Sequence, residues 1–180
     1  MNATLSKYVK DNYEEGKADM MTVFMVVAEN HIEKNGKIGM ITLPSWLFLS
    51  TFENLRKNIV VNYHIDSLLH MGRGIFGIDW GSTAFVVSNC INHAGGTYFR
   101  LHKRNFQHIY YYHIEQLFLK ALNNHYFKYD FDSYRDDDVV YKDIIFESSE
   151  TGFQIYFPNV SQQDFEKIPG APIGYWVSDK

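Results

Sequence analysis

One cysteine, Cys90, occurs in 180 residues. No internal disulfide can form, so packing alone must hold the fold, and a lone thiol suits a reducing compartment, with the cytoplasm as the default. Cys90 falls in an apolar strand pattern, where inert packing outweighs a nucleophile. No apolar run reaches the ~18 residues that suggest a membrane span, and no signal-peptide pattern is visible, so no membrane partner is expected. Positive charge is scarce. With 17 Lys and Arg against 21 Asp and Glu, the net charge is −4, which leaves any contact with nucleic acid or anionic lipid to a local basic patch. Only four prolines occur, and no two are adjacent. Aromatics are abundant, with 14 Phe, 13 Tyr and 3 Trp, and these must fill a core or form a surface that stacks on something.

The stretch from Lys34 to Val87 organises the chain. Lys37 to Leu43 is a short apolar run opened by Asn35-Gly36 and closed by Pro44, as in a buried strand of a parallel sheet. Ligands of open α/β sheets collect beyond the carboxyl ends of the strands, which puts Pro44 and Trp46 at a rim. Ahead of it, Thr4 to Tyr13 reads as a short amphipathic helix with Leu5, Tyr8 and Val9 on one face. Asp19 then caps a stronger helix in which Val23, Phe24, Val27, Ala28 and Ile32 repeat at helical spacing. Phe48, Phe52, Leu55 and Ile59 mark a third helix, and His64 to Met71 the next strand. This order predicts a right-handed parallel crossover.

Met71 to Ser82 holds four glycines and reads as a loop of about a dozen residues, a length associated with function. Thr83 to Ser88 is a clear strand, and Ala94-Gly95-Gly96 turns the chain into Thr97 to Leu101 as a hairpin. Arg100, His102, Lys103 and Arg104 form the one dense basic cluster, evenly balanced between a solvated strand end and phosphate contact. Ile109 to Leu122 is helical. From Tyr126 to Tyr141 aromatics alternate with Asp130, Asp132, Asp136, Asp137 and Asp138, a solvated loop rather than a metal site, because the Gly and Glu of a calcium loop are missing. Phe153 to Phe157 is a short strand and Ser161 to Glu166 has helix-cap spacing. The tail, Ile168 to Ser178, carries Pro169 and Pro172 and cannot be a regular core element.

Taken in order, Asp19 with Phe24 on a helix, Asn35-Gly36, the strand ending Leu43-Pro44-Ser45-Trp46, Phe52-x-x-Leu55-Arg56, Ile65-Asp66, Phe76, and Ser82 to Val87 resemble the later half of the adenine-specific DNA methyltransferases of gamma-type motif order. The tail Ile168 to Ser178 is similar to a segment of the BREX phage-defence methyltransferases, a family often called PglX. The resemblance is strong from about Ala18 to Val87 and in the tail, and weakest from Asn105 to Ser149. It implies an α/β fold: a partial Rossmann-like methyltransferase sheet of parallel strands plus an antiparallel strand and a hairpin in residues 1–104. An α+β extension in residues 105–180 would lead toward a target-recognition region.

Such enzymes carry a glycine loop for S-adenosylmethionine and an Asn-Pro-Pro-Tyr or Asp-Pro-Pro-Tyr segment that holds the target amine. Neither is present, and the chain is expected to be a piece of a longer enzyme, inactive alone, that binds the cofactor weakly or not at all. No catalytic or metal-binding residue is assigned. The resemblance places Phe24 and Pro44 at the cofactor and Phe76 on a flipped target base, with Trp80 competing for that role. The basic cluster Arg100, Lys103 and Arg104 would meet the DNA backbone. Read without the resemblance, Phe24 is a core residue, Trp46 a helix-start anchor and Arg56 a surface or helix-packing charge. The implied partners are double-stranded DNA, the missing N-terminal half or other defence-system proteins, and a second copy meeting an exposed sheet edge. The alternative is a non-catalytic remnant serving as an interaction or DNA-binding module.

Overall fold

The computed structural model describes residues 1–77, 80–92, 94–104, 107–135 and 144–177. Two helices, α1 (Ala3–Asn12) and α2 (Met20–His31), lead into β1 (Lys37–Thr42). Both start on side-chain caps. Asn2 Oδ1 accepts from Leu5 N at 2.8 Å, and Asp19 Oδ1 from Met21 N at 2.8 Å, each satisfying an amide that the first helical turn leaves open. Asn35 takes a positive φ of 65°, which turns the chain from α2 into β1. Two short 3-10 turns, Pro44–Leu47 and Ser50–Phe52, then precede α3 (Glu53–Asn62), β2 (His64–Arg73), β3 (Gly81–Ser88) and β4 (Gly96–Arg100). After α4 (Tyr111–Asn123) come β5 (Lys128–Tyr129), β6 (Phe153–Gln154), β7 (Tyr156–Val160) and α5 (Gln163–Glu166).

The main sheet has the order β1-β3-β2-β4-β7, and β5 pairs with β6. β3 is antiparallel to both β1 and β2, and β2 and β4 run parallel. β7 is antiparallel to β4. The expected class is therefore observed: an α/β fold whose sheet combines parallel strands with antiparallel ones.

Two pairings differ from the local reading. β1 and β2 point the same way, as a crossover requires, but β3 inserts between them. β4 forms no hairpin with β3; it lies parallel to β2, with Leu69 opposite Phe99. The hairpin is instead β2–β3, joined across residues 74–80, because β2 runs on to Arg73 and shortens the glycine-rich loop. Phe99 and Leu69 enter the core with α4, and that burial outweighs the tight turn offered by Gly95-Gly96.

The register sorts side chains to two faces with the period of two that strands impose. Ile65, Leu68, Phe85, Val87 and Tyr98 face α2, α3 and the tail. Met71 and Phe99 face α4 and the aromatic segment after it. The tail is irregular, as its prolines require, yet Ala171, Ile173 and Tyr175 are buried. It is fastened by Arg56, which is 1% exposed and donates to the carbonyls of Trp46 (2.8 Å), Leu49 (2.6 Å), Gly170 (2.6 Å) and Ala171 (3.0 Å). Arg56 is thus a buried staple rather than a surface charge. Gln162 does similar work beside it, accepting from Ile65 N and donating to the carbonyls of Val60 and Tyr63.

Candidate ligand-binding rim

β1, β2 and β4 share a direction, so their carboxyl ends gather at one margin. The register lines up Thr42, Thr83, His70 and Arg100 in a row across four strands. The 3-10 turn that Pro44 opens stands over this row. Trp46 is fully buried, donating from Nε1 to Thr42 Oγ1 at 2.9 Å and meeting Phe85 edge-on at 5.1 Å; it anchors the turn. Pro44 is buried in the same turn.

His70 lies under Phe48 (5.6 Å between rings) and meets His102 at 4.3 Å, nearly perpendicular. Burial, with the neighbouring His102 and Arg100, holds the His70 imidazole well below its ordinary value. Burial likewise lowers His102 to about 4, although its Nδ1 faces the Arg104 carbonyl at 2.7 Å. Both rings are neutral at neutral pH, and His70 Nδ1 and His102 Nε2 have no hydrogen-bond partner among the described residues. Two neutral, enclosed imidazoles offer no ready proton to a solvent-exposed substrate.

The aromatic pair of the β2–β3 loop lies at this margin. Phe76 is 54% and Trp80 61% exposed, so neither is spent on the core. Phe24 is 58% exposed, against its reading as a core residue, and lines a groove of about 820 Å³ between α2 and β1 with Val27, Ala28 and Ile38. The groove runs beside the edge of β1, which among the described residues has a sheet partner only in β3. On the opposite face of that strand Ile41 is 59% exposed. Of the basic cluster, Arg100 is half-buried, its guanidinium 4.8 Å over the Trp176 ring and donating to the Lys103 carbonyl at 2.7 Å. Lys103 and Arg104 both pair with Asp132.

The model of the Eco57I restriction-modification methylase family matches residues 1–76. The chain is 28% identical to the adenine-specific methyltransferase BrxX of Escherichia coli O9:H4 (strain HS), an alignment that covers 99% of this chain and 12% of that protein. It is 32% identical to the adenine-specific methyltransferase PglX of Lacticaseibacillus casei (strain Zhang), covering 100% of this chain and 13% of that one. The chain is related to the adenine-specific methyltransferases. It spans about one eighth of the length of these two relatives. A modification subunit of a putative type I restriction enzyme from Vibrio vulnificus YJ016 superposes with a TM-score of 0.44 at 11% identity, covering 77% of this chain and 31% of that one.

In this methyltransferase relative the rim residues that local patterns did not reveal are His70, His102 and Trp176. His70 reads as one member of an apolar strand, His102 as part of a basic cluster, and Trp176 as a member of an irregular tail. Only the register and the return of the tail bring the three together. Among the described residues, no three His, Cys, Asp or Glu side chains gather to hold a metal, and no helix is long and apolar enough to cross a membrane. Asp130 and Asp132 are described; Asp136, Asp137 and Asp138 lie outside the described residues.

Proposed function

We propose that the chain supplies the strand-rim part of an S-adenosylmethionine-dependent, adenine-specific DNA methyltransferase of a phage-defence or restriction-modification system, and that it transfers no methyl group alone. The observation that carries this is its end-to-end similarity to two adenine-specific methyltransferases, in a sequence with no Pro-Pro pair. Methylating an exocyclic amine requires that amine to be held in line with the methyl sulfonium by fixed acceptors, a matter of positioning and electrostatics. The chain offers no such acceptor segment. Its own residues bind and wall: Phe24 and Pro44 toward the cofactor, Phe76 and Trp80 toward a target base, Arg100, Lys103 and Arg104 toward the DNA backbone. Residues 1–104 act as the catalytic-domain part and 105–180 lead toward target recognition.

The test is addition. The chain is incubated with labelled S-adenosylmethionine and DNA, alone and with a polypeptide carrying the glycine loop and the Asn-Pro-Pro-Tyr segment. Transfer only in the mixture supports the proposal; transfer by the chain alone, or none in either, counts against it.

A second reading, an interaction module, is favoured by the unpaired β1 edge beside the apolar Phe24 groove, since an open strand edge invites a strand from another polypeptide or a second copy. Concentration-dependent dimerisation, abolished by a proline in place of Ile41, is its test.

A further inference from the structure

At the β7 edge of the sheet, next to the Arg100 end of the rim, a cleft of about 600 Å³ opens between β7, the start of α5 and the end of the tail. Phe153, Phe157, Tyr175 and Trp176 wall it, and Arg100 lies within it. Phe153, Phe157 and Trp176 are only half-buried, so ring surface remains open to an occupant. The charge in the cleft is one-sided. Asp164, its carboxylate, is held by Lys167 at 2.5 Å, whereas Arg100 faces no carboxylate among the described residues and its buried Nε has no hydrogen-bond partner there. Beside the cleft Lys103, its charge paired with Asp132, lies 4.6 Å over the Phe153 ring.

Half-buried aromatic rings beside a guanidinium that lies over Trp176 and faces no carboxylate among the described residues are complementary to a flat ring tethered to an anion. Stacking is indifferent to base identity because every base has a π-face, and Arg prefers phosphate for its planar fork of donors. We propose that this cleft holds one nucleotide, its base against Phe157 and Trp176 and its phosphate at Arg100. The nucleotide is a unit of a nucleic-acid strand or a free mononucleotide. Only the first source rests on the function proposed above, where it gives the strand a second hold away from Phe76.

The three tryptophan indole N–H resonances of the full chain are followed by ¹⁵N NMR, with the Trp176 signal assigned by Trp176→Phe. AMP is expected to move the Trp176 signal saturably and leave that of buried Trp46 unchanged. Adenosine and inorganic phosphate should each bind at least about tenfold more weakly than AMP, since each keeps half of the contacts. Arg100→Gln should weaken AMP to the level of adenosine; should that variant fail to fold, Phe157→Ala, which removes one of the two stacking rings, should weaken AMP toward the level of inorganic phosphate, and unchanged AMP binding in it counts against the proposal. A short single-stranded oligodeoxyadenylate that binds more tightly than AMP identifies the strand as the source; AMP binding without oligonucleotide binding keeps the nucleotide site and rejects the strand. A Trp176 signal unmoved by about 10 mM AMP, well above an ordinary weak dissociation constant, overturns the proposal. Methyl transfer restored in the mixture while the Trp176 signal stays still removes this cleft and leaves the proposed function standing.

Discussion

Arg56 and Ala171 stand 115 positions apart in the chain and are joined by a 3.0 Å hydrogen bond in its interior. One guanidinium thereby ties the turn that Pro44 opens to the tail that carries Trp176.

Removing that guanidinium takes a donor from four carbonyls, those of Trp46 and Ala171 in buried bonds and those of Leu49 and Gly170 in part-buried ones. Arg56→Ala is expected to destabilise the chain by at least about 3 kcal/mol, measured by urea unfolding. Arg56→Lys should recover less than half of the loss, because a compact ammonium lacks the planar fork that reaches all four acceptors. A loss under about 1 kcal/mol for the alanine variant would remove the staple from the account of the rim.

Glu29 gives stability a pH dependence. Its carboxyl on α2 is raised from 4.5 to about 7, first by burial and then by the nearby Glu15 charge, against a hydrogen bond from Asn58 Nδ2 at 3.0 Å. A folded pKa above the unfolded one means the native state holds the extra proton between these values. The stabilisation is therefore full below pH 4.5 and lost as pH rises through about 7. Glu29→Gln should flatten this part of the stability profile, by on the order of 1 kcal/mol once solvent screening is discounted; an unchanged profile refutes the assignment.

Asp66 acts in the opposite sense. Burial works to raise its pKa, but hydrogen bonds from Lys37, Ser88 and His64 outweigh it and hold the carboxyl below 3.8. Lys37 Nζ lies 2.5 Å and Ser88 Oγ 2.6 Å from Oδ2, with His64 Nδ1 2.9 Å from Oδ1. The contribution is present above the unfolded pKa and lost as pH falls through the folded one. Asp66→Ala should cost about 1 to 3 kcal/mol at pH 7 and reduce the acid sensitivity of the fold, as read by thermal melts across pH.

Phe76 is exposed, so its removal should not unfold the chain. Phe76→Ala is expected to leave the melting temperature of the isolated chain within error while slowing turnover of a reconstituted enzyme by about tenfold, with cofactor affinity nearly unchanged. Equal losses of turnover and affinity would move Phe76 out of the base pocket.

Much of this architecture was legible locally. Asp19 announced α2, Asn35-Gly36 the turn into β1, and the apolar runs the strands at 37–43, 64–71 and 83–88, because caps, turns and periodicity are properties of neighbours in sequence; β2 and β3 reach further, to Arg73 and back to Gly81, into the stretch that its glycines mark as a loop. Pro44 and Trp46 could be placed at a rim for the same reason: the residue after a strand lies beyond its end. Phe76 and Trp80 read locally only as aromatics of a glycine-rich loop, and their role came from the family resemblance. Phe24 was less legible, since an apolar stripe looks the same whether it meets a core or an open groove.

The amino-acid order by itself determined where the helices and strands lie and which of their faces are apolar, since both follow from backbone preferences and side-chain spacing. Which strand lies beside which was decided only in three dimensions. β3 separates β1 from β2, and β4 chooses β2, because pairing depends on which apolar faces can be covered together by α4 and the tail. The same closure turned Arg56, a charge that reads from sequence as surface or helix-packing, into the donor that binds Trp46 to Ala171: a carbonyl cluster that could satisfy it exists only after distant segments have met.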